Sequence, residues 1–442
     1  MRTVLAIVAT ACLALAGQAA AQQPSAETRA AYDAAFQETL KRPGSPRALL
    51  RFAELAVQVG DLEGAVAALE RLLLLDGDQP AVRLELGVLY YRLGAYEAAR
   101  NYLESARRSA GATAETKDKA AQYLADIDSQ TGRSHFSGNV LTGLGYSTNA
   151  NSGPAGAIQS FGTNVVTTPN VSQTPDFNFL LAATVDHRYD LNRQDNGALE
   201  SELQLYFTRQ FRVTSANVLF LDFTTGPRTS PFDSGTFGDL TMRPFVTGRY
   251  VAVQDMPSYW AWGAGLEAGM PVTSQMAATL SMFGRRREYL NNPTVPTNNQ
   301  GSGNEGVVAG SLQVALTSAM TLTLSGLYTR FIAMVPAQSY GEVALGGTLE
   351  VRFADPLGLN GRTWAVTAAG GIAQATYDQP DPTVNPTVVR AQNDVNLGLI
   401  LAIPLTESIA LIGQANYTQR SASLSTYAYD AFSTLIGIGL RF

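Results

Sequence analysis

Glu200 and Glu202 stand two positions apart and could imitate the acid–base pair of a glycosidase. On a β-strand, alternate side chains share a face at about 7 Å, a separation that an acid and a base tolerate. Nucleophilic catalysis would need a Ser–His or Cys–His pair within reach, but the chain has only two histidines, His135 and His187, and one cysteine, Cys12. So few ligands also disfavour a zinc site. We therefore expect no catalytic residues, no metal, no cofactor and no enzymatic activity.

Charged side chains instead recur at every second position of otherwise apolar segments. A soluble β-sandwich would have to bury such charges in a dry face, whereas a water-filled or plugged barrel lumen accommodates them. These charges would pair inside the barrel or line water, with cargo selection as the functional alternative. The residues predicted to line the lumen are Asp186, Arg188, Glu200, Glu202, Arg243, Arg249, Glu342, Glu350, Arg352 and Arg441.

The segments that carry these charges read as antiparallel strands separated by turn residues. We predict fourteen strands, at 136–147, 176–190, 198–211, 215–224, 238–254, 259–272, 275–290, 306–318, 320–334, 340–353, 362–378, 391–405, 408–420 and 430–442. Aromatic residues near strand ends are expected at the membrane interface, at Tyr146, Tyr189, Phe211, Tyr250, Tyr289, Tyr328, Tyr377 and Tyr417. Inward aromatics are expected to be few, with Tyr206 and Phe245 as candidates.

Loop lengths predict the orientation of the barrel. An even-stranded barrel has both ends in the periplasm, and its periplasmic turns are short. The long connections 147–175, 291–305 and 378–390 follow odd-numbered strands, as this rule requires. The segment Thr225–Phe237 breaks it, either as a periplasmic excursion or through a slip in the strand assignment.

The last segment, from Phe432 to Phe442, alternates apolar residues with small or polar ones. Bacterial outer-membrane barrels commonly end in such a strand, and the barrel assembly machinery reads its terminal aromatic residue. Phe442 is therefore predicted to be the assembly signal, and the strand is expected to close the barrel against the segment Gly138–Tyr146.

The N-terminus predicts export. One arginine, a short apolar run and Ala19-Ala20-Ala21 are typical of a signal peptide, residues 1–21, that contains Cys12. No later stretch is long and apolar enough for a transmembrane helix, so an integral protein must cross as strands. The formal net charge of −6 gives no sign of a nucleic-acid partner.

Residues 22–133 carry a helical repeat. Gly60 and Gly94 lie thirty-four residues apart, and the segments Val59–Ala65 and Leu93–Ala99 match around them. This period, with glycine at the inter-helix turn and alanine where helices cross closely, resembles the tetratricopeptide repeat. We predict an all-α solenoid with full repeats at 46–79 and 80–113 and flanking helices. Its concave face would bind partner proteins through Arg47, Glu54, Gln58, Tyr91 and Arg92.

The barrel domain, 134–442, opens with Ser137–Val140 and Gly143–Asn149. A signal peptide, a short tetratricopeptide domain and a fourteen-stranded barrel with this entry resemble the surface lipoprotein assembly modifier family, although Ser147-Thr148 stands where that family usually has Asp-Ser. The resemblance implies a Gram-negative outer-membrane protein with a periplasmic repeat domain. It further implies a translocation factor that recruits a lipoprotein or small secreted client, or a periplasmic chaperone, and helps it reach the surface.

Two other functions remain open. Exopolysaccharide export porins also join tetratricopeptide repeats to a barrel, but they generally have more repeats, sixteen strands and a lumenal track of aromatics and acids. A passive or small-molecule porin is the second alternative, and it would leave the repeat domain unexplained.

Overall fold

The chain divides into two compact units between His135 and Phe136. The computed structural model describes residues 26–77, 79–154, 158–161, 164–167, 172–192, 197–232, 239–293 and 295–442. The predicted signal peptide, residues 1–21, lies outside the described residues. Among the helices that are described, none is long and apolar enough to cross a membrane.

The N-terminal unit is a row of antiparallel helices, each packed against the next along the chain. Within the described residues they are α1 (Ala26–Lys41), α2 (Pro46–Val59), α3 (Leu62–Leu75), α4 (Pro80–Arg92), α5 (Tyr96–Arg108) and α6 (Ala114–Thr131). Gly60 and Gly94 end α2 and α4 at φ angles of 87° and 74°. Only glycine adopts this left-handed conformation without strain, and it lets the chain reverse into the second helix of each repeat.

Small and apolar side chains hold the helical unit together. Leu72, Leu86 and Leu103 are fully buried, and α4 approaches α5 closely at Gly87. A Cβ atom at Gly87 would lie 2.5 Å from Leu103 Cγ, which is inside van der Waals contact. Helices α4 and α5 can therefore pack this closely only because the residue at the contact has no side chain.

The C-terminal unit is a closed antiparallel barrel of fourteen strands, which confirms the predicted fold class. The strands of this unit are β1 (Ser134–Ser147), β2 (Ile158–Phe161), β3 (Asn164–Thr167), β4 (Asp176–Asp190), β5 (Ala198–Gln210), β6 (Val218–Arg228), β7 (Thr241–Val253), β8 (Met256–Thr273), β9 (Met276–Tyr289), β10 (Gly303–Thr317), β11 (Met320–Ala333), β12 (Tyr340–Phe353), β13 (Trp364–Tyr377), β14 (Ala391–Pro404), β15 (Ile409–Ala422) and β16 (Tyr429–Arg441). Strands β2 and β3 pair only with each other, in a hairpin between β1 and β4.

The barrel closes where β16 pairs with β1, as predicted for the last segment. Residues Asn139 to Ser147 pair in register with Arg441 to Ser433. We call the end at which β1 begins and β16 ends the proximal end, and the opposite end the distal end.

The connection between β6 and β7 lies at the proximal end. Strand β6 extends to Arg228, beyond the predicted boundary, and Thr229 still bridges to Met242. The register between Val218 and Thr225 on β6 and their partners on β7 is continuous. Strand β6 therefore ends four residues later than predicted, and the connection that follows it begins and ends at the proximal end.

The two faces of the barrel wall differ sharply. Apolar side chains such as Ile436 and Trp262 are exposed in the isolated chain, at 69% and 55%. The opposite face carries charged residues that form ion pairs across strands, such as Arg228 and Glu267. Alternation therefore gives the barrel an apolar outer face and a polar inner face.

Candidate functional site

Four of the five residues predicted on the repeat face are exposed, and the fifth is not. Arg47, Glu54, Gln58 and Arg92 lie on the surface of α2 and α4. Tyr91 is half-buried, with its ring 5.8 Å from Tyr96 and 5.4 Å from Tyr123. The structure thus places Tyr91 in the packing between α4, α5 and α6.

A carboxylate inside the repeats joins three helices. Glu70 on α3 accepts hydrogen bonds from the hydroxyls of Tyr90, at 2.6 Å, and Tyr102, at 3.1 Å. The two tyrosine rings stack with their centroids 5.5 Å apart. The hydrogen bond to Glu70, with burial second, raises the pKa of Tyr90 to about 12.

All ten residues predicted to line the lumen lie on the inner face of the barrel wall. Cross-strand registers set this parity, because Asp186 pairs with Glu202 and Arg188 with Glu200. On β12, Glu350 and Arg352 form an ion pair at 2.6 Å. Several charged residues that join this face were missed from the sequence, namely Asp222, Arg228, Glu267, Arg285, Arg287, Glu305, Asp394 and Arg420.

A first ion-pair cluster lies near the proximal end. Glu200 accepts from Arg188 at 2.7 Å and from Arg228 at 2.6 Å. Arg228 also donates to Glu267 at 2.6 Å, and Arg243 lies 3.7 Å from Glu200 and 3.8 Å from Glu267. The cluster ties β4 to β8, and it pairs Glu200 with arginines rather than leaving it beside Glu202 as an acid–base pair.

A second cluster lies closer to the distal end and is more deeply buried. Asp222 pairs with Arg249 and with Arg285, the latter at 3.4 Å, and Glu305 pairs with both Arg285, at 3.0 Å, and Arg287. Arg285 on β9 pairs with Asp222 on β6 across the two strands between them, β8 and β7. Gly263 makes room for it, because a Cβ atom there would lie 2.7 Å from Arg285 Cγ.

Inward aromatic rings are numerous, which corrects the sequence expectation. Several inward arginines pack on aromatic rings. The guanidinium of Arg249 lies 4.8 Å from the ring centroid of Phe220, and that of Arg285 lies 4.6 Å from the ring centroid of Phe283. Tyr206 and Phe245 do face inward as predicted. The other inward rings are Phe220, Tyr259, Phe283, Tyr289, Phe331, Tyr340, Tyr377 and Tyr429.

Tyr289 and Tyr377 were expected at the lipid interface and instead face the interior. Both end their strands at the distal rim, where position alone suggests an interfacial ring. Parity gives the correct answer, since Tyr289 is an even number of residues from Arg285 and Arg287 on the same strand. Alternation along the strand therefore predicts the facing of these two side chains correctly, whereas position near a strand end does not.

Phe442 continues the seam that closes the barrel. Its backbone exchanges two hydrogen bonds with Gly138, at 3.0 and 3.2 Å. On the outer face nearby, His187 stacks on Phe136 with the ring centroids 4.5 Å apart. The His187 ring therefore packs against another aromatic ring.

A family model described as tetratricopeptide repeat matches residues 43–125. The helical unit is a tetratricopeptide-repeat domain. Among solved structures, PcrH in complex with the chaperone binding region of PopD is similar to it, at 20% identity and a TM-score of 0.21, covering 24% of this chain and 80% of that chain.

The barrel resembles outer-membrane proteins. An anion-selective porin from Comamonas acidovorans is 8% identical, with 70% of this chain and 99% of that chain covered and a TM-score of 0.36. A loop-deletion mutant of OmpT, an outer membrane protein of Vibrio cholerae, is 9% identical, with 70% and 100% covered and a TM-score of 0.35. No curated protein matches the chain. At these identities the structural similarities concern the fold alone.

Proposed function

We propose that this protein is an outer-membrane translocation and assembly factor that helps move surface lipoproteins or small secreted clients to the cell surface. One observation carries the proposal: a protein-binding repeat domain and a closed barrel with an apolar outer face share one chain, with Gly132 and Arg133 alone between α6 and β1. The repeat domain recruits the client or a periplasmic chaperone, and the barrel takes part in its passage. The architecture resembles that of surface lipoprotein assembly modifiers.

Connection lengths support a periplasmic repeat domain. The two-residue turns 274–275 and 318–319 are proximal and the three longest connections, 148–175, 290–302 and 378–390, are distal. The proximal connections 229–240 and 354–363 and the distal turn 254–255 depart from this trend. In outer-membrane barrels the short turns face the periplasm. The proposal puts the proximal end, and with it the chain that leads into β1, on the periplasmic side, with the apolar outer face in outer-membrane lipid after insertion by the barrel assembly machinery.

The interior fits a conduit or scaffold without a catalytic step. The carboxylates of both clusters are engaged by arginines, so neither supplies a free acid or base. Paired charges of both signs tolerate water and polar chain segments better than an apolar lining would. The proposal accordingly assigns no reaction to this chain.

Deleting residues 26–131 tests the proposal. We expect surface exposure of a co-expressed lipoprotein, measured by protease accessibility on intact cells, to fall at least tenfold while the barrel still migrates as a folded species on unheated gels. Unchanged display would overturn the proposal.

A charge-reversal pair localises the effect to the repeat face. Arg47→Glu combined with Glu54→Lys should lower display, because both residues are exposed on α2 and belong to the face predicted to bind the client. Arg71→Glu, a reversal of an exposed arginine on α3, is the matched control and should leave display unchanged.

Polysaccharide export is a second candidate, which the inward aromatic rings favour. Stacked rings and acidic groups along a lumen suit a sugar chain, and such rings are more numerous here than the sequence predicted. Deleting the whole chain separates the two candidates: loss of lipoprotein display supports protein translocation, whereas loss of surface polysaccharide with intact display supports polysaccharide export.

A further inference from the structure

A cavity of ≈ 300 Å³ opens at the distal end of the barrel. Strand ends supply Tyr289, Tyr340 and Tyr377 to its wall, and the connecting segments 334–339, 378–390 and 423–428 supply Gln338, Arg390 and Tyr427. The volume is near the lower limit of about 300 Å³ for small-molecule pockets, so an occupant is one or two rings in size.

Aromatic rings form a fixed back wall. Phe331, Tyr340 and Tyr377 follow one another with centroids 5.6 and 5.4 Å apart. The guanidinium of Arg287 packs 4.4 Å from the Phe331 centroid and is itself paired with the buried carboxylate of Glu305. Because the contact with Arg287 holds this row of rings in place, the wall is preorganised for a ligand.

Arg390 is the cation of this cavity. Its guanidinium lies 3.5 Å from the ring centroid of Tyr427 and 4.6 Å from that of Tyr377. When the amide oxygen of Gln392 faces Arg390, it accepts from Nε at 2.7 Å and from Nη2 at 2.5 Å. Across the described residues no carboxylate lies within 4.0 Å of it, in contrast to Arg420, which pairs with Asp394 at 2.6 Å.

The electrostatic environment of Arg390 agrees with this geometry. Burial lowers the pKa of the Arg390 guanidinium, as expected of a half-buried cation without a carboxylate partner. The two tyrosine rings cover its faces and Gln392 engages its Nε edge, so the N–H groups that remain for a ligand are those at the Nη1–Nη2 end. A planar guanidinium held in this way matches the two oxygens of a carboxylate.

We propose that this cavity binds a saccharide ring bearing a carboxylate, that is, a uronate unit. The flat C–H face of a pyranose packs on the tyrosine wall, and its hydroxyl edge reaches the side chains of Gln338, Gln379 and Asp381. The carboxylate accepts from Arg390. A purely apolar ligand would leave these polar groups unpaired, at a cost in binding. The inference goes beyond the proposed function and does not depend on it.

Calorimetry on the full chain in detergent micelles tests this inference. Tetragalacturonate is the acidic probe and maltotetraose the neutral one, and we expect the acidic probe to bind at least tenfold more tightly. Arg390→Gln should remove that preference. Arg362→Gln, in the proximal segment 354–363, is the matched control and should preserve it.

Two further variants keep the result interpretable. Arg390→Lys keeps the charge without the fork and should retain part of the preference, whereas Tyr377→Leu should weaken both probes. Migration on unheated gels checks that each variant is a folded barrel. Equal affinity for the two probes, binding of neither probe, or an undiminished preference in Arg390→Gln would each overturn the inference.

Repeating the calorimetry with three sources of a uronate group shows which of them the cavity binds. Free galacturonate, tetragalacturonate and vesicles containing a glucuronate-headed glycolipid carry the same chemistry. Saturable binding of any of them that is lost in Arg390→Gln supports the inference, and the tightest of the three names the source. Binding of the vesicles alone that persists in Arg390→Gln would indicate adsorption to the barrel surface and overturn it.

Discussion

Arginine is the residue type on which the barrel interior depends, because its planar group serves two partners at once. Arg287 is paired with Glu305 at its edge while its faces lie 4.4 Å from the Phe331 centroid and 5.1 Å from that of Tyr259. Lysine has a point charge and no flat face, so it would retain the ion pair and lose the ring contacts. Arginine-to-lysine changes in these clusters are therefore not conservative.

The first prediction concerns the stability of the repeat domain at alkaline pH. Since the folded protein holds the pKa of Tyr90 at about 12, and an unfolded tyrosine titrates near about 10, the native state binds the proton more tightly. The stabilisation is therefore complete below about pH 10 and is lost as pH rises toward 12. Guanidinium unfolding followed by circular dichroism at 222 nm should show it.

Tyr90→Phe is the matched variant for that measurement. It removes the hydroxyl that donates to Glu70, so it should unfold more easily than the parent at pH 8 and lose less stability between pH 10 and 12. Parallel losses in the two proteins would contradict the assignment of the alkaline transition to Tyr90.

Gly87 supports a second prediction at the residue scale. In an exposed helix, Gly→Ala stabilises by about 1 kcal/mol, but a Cβ atom at Gly87 would lie 2.5 Å from Leu103 Cγ and 3.2 Å from its backbone nitrogen. We expect Gly87→Ala to destabilise the repeat domain by about 1–3 kcal/mol, as the shift in its guanidinium midpoint. Gly44→Ala, with no atom within 4 Å, should not destabilise it.

At the scale of elements, strand number and facing were predictable because the signal is repeated along each strand. Strand β4 alternates apolar and polar residues except over Leu180–Ala183, and its structural bounds, Asp176–Asp190, equal the predicted ones. The helical repeats were predictable for a similar reason, since Gly60 and Gly94 mark equivalent turns. Repetition averages out the ambiguity of any single residue.

Contacts between elements could not be predicted in the same way. That Arg285 reaches past β8 and β7 to Asp222 depends on Gly263 lying between them, and this alignment follows from barrel registers. The distal cavity likewise combines Tyr289 with Arg390, which are distant in sequence and meet through strand pairing and loop folding. Single-sequence patterns carry little information on such pairs.

The second ion-pair cluster yields the third prediction. Glu305 on β10 is nearly fully buried and faces two arginines of β9. Replacing it with glutamine removes the carboxylate paired with Arg287 and leaves Arg285 with Asp222 alone. Breaking a buried pair in this way costs about 3–5 kcal/mol. Glu305→Gln should therefore lower the thermal midpoint of the barrel in detergent markedly.

The matched control is an ion pair on the outer face at the distal rim. Arg330 and Asp378 are each more than one-third exposed, so Asp378→Asn should cost only about 0–1 kcal/mol. Equal shifts in the two variants would contradict the view that burial, rather than pair number, determines the contribution of these charges.

At the scale of the whole molecule, the two units are built by opposite rules. The helical unit hides its apolar side chains inside, with Leu72, Leu86 and Leu103 fully buried, whereas the barrel exposes its apolar side chains and turns its charges inward. The apolar outer face of such a barrel is suited to contact with lipid, and the surface of such a helical unit is suited to contact with water. One chain therefore suits two solvents, as the proposed function requires.

Closure of the barrel is a property of the whole chain, because it joins residues almost three hundred positions apart. Gly143 on β1 faces Gly437 on β16, and a Cβ atom at Gly437 would lie 2.4 Å from the Thr142 carbonyl oxygen and 3.1 Å from Gly143 Cα. These obstacles are backbone atoms, so they cannot rotate away. We expect Gly437→Val to weaken pairing of β1 with β16 and to reduce the closed, fast-migrating species on unheated gels severalfold.

Gly413→Val on β15 makes that prediction specific to the seam. Gly413 also lies within a strand, but nothing stands within 4 Å of its Cβ position. Because valine favours strands over glycine by up to about 1 kcal/mol, this variant should close as well as the parent or better. If both valine variants closed equally, the glycine pair at the seam would not be what permits closure, and if both failed, the defect would lie in strand formation. Failure of Gly437→Val alone would show that barrel formation depends on the close approach of its first and last strands.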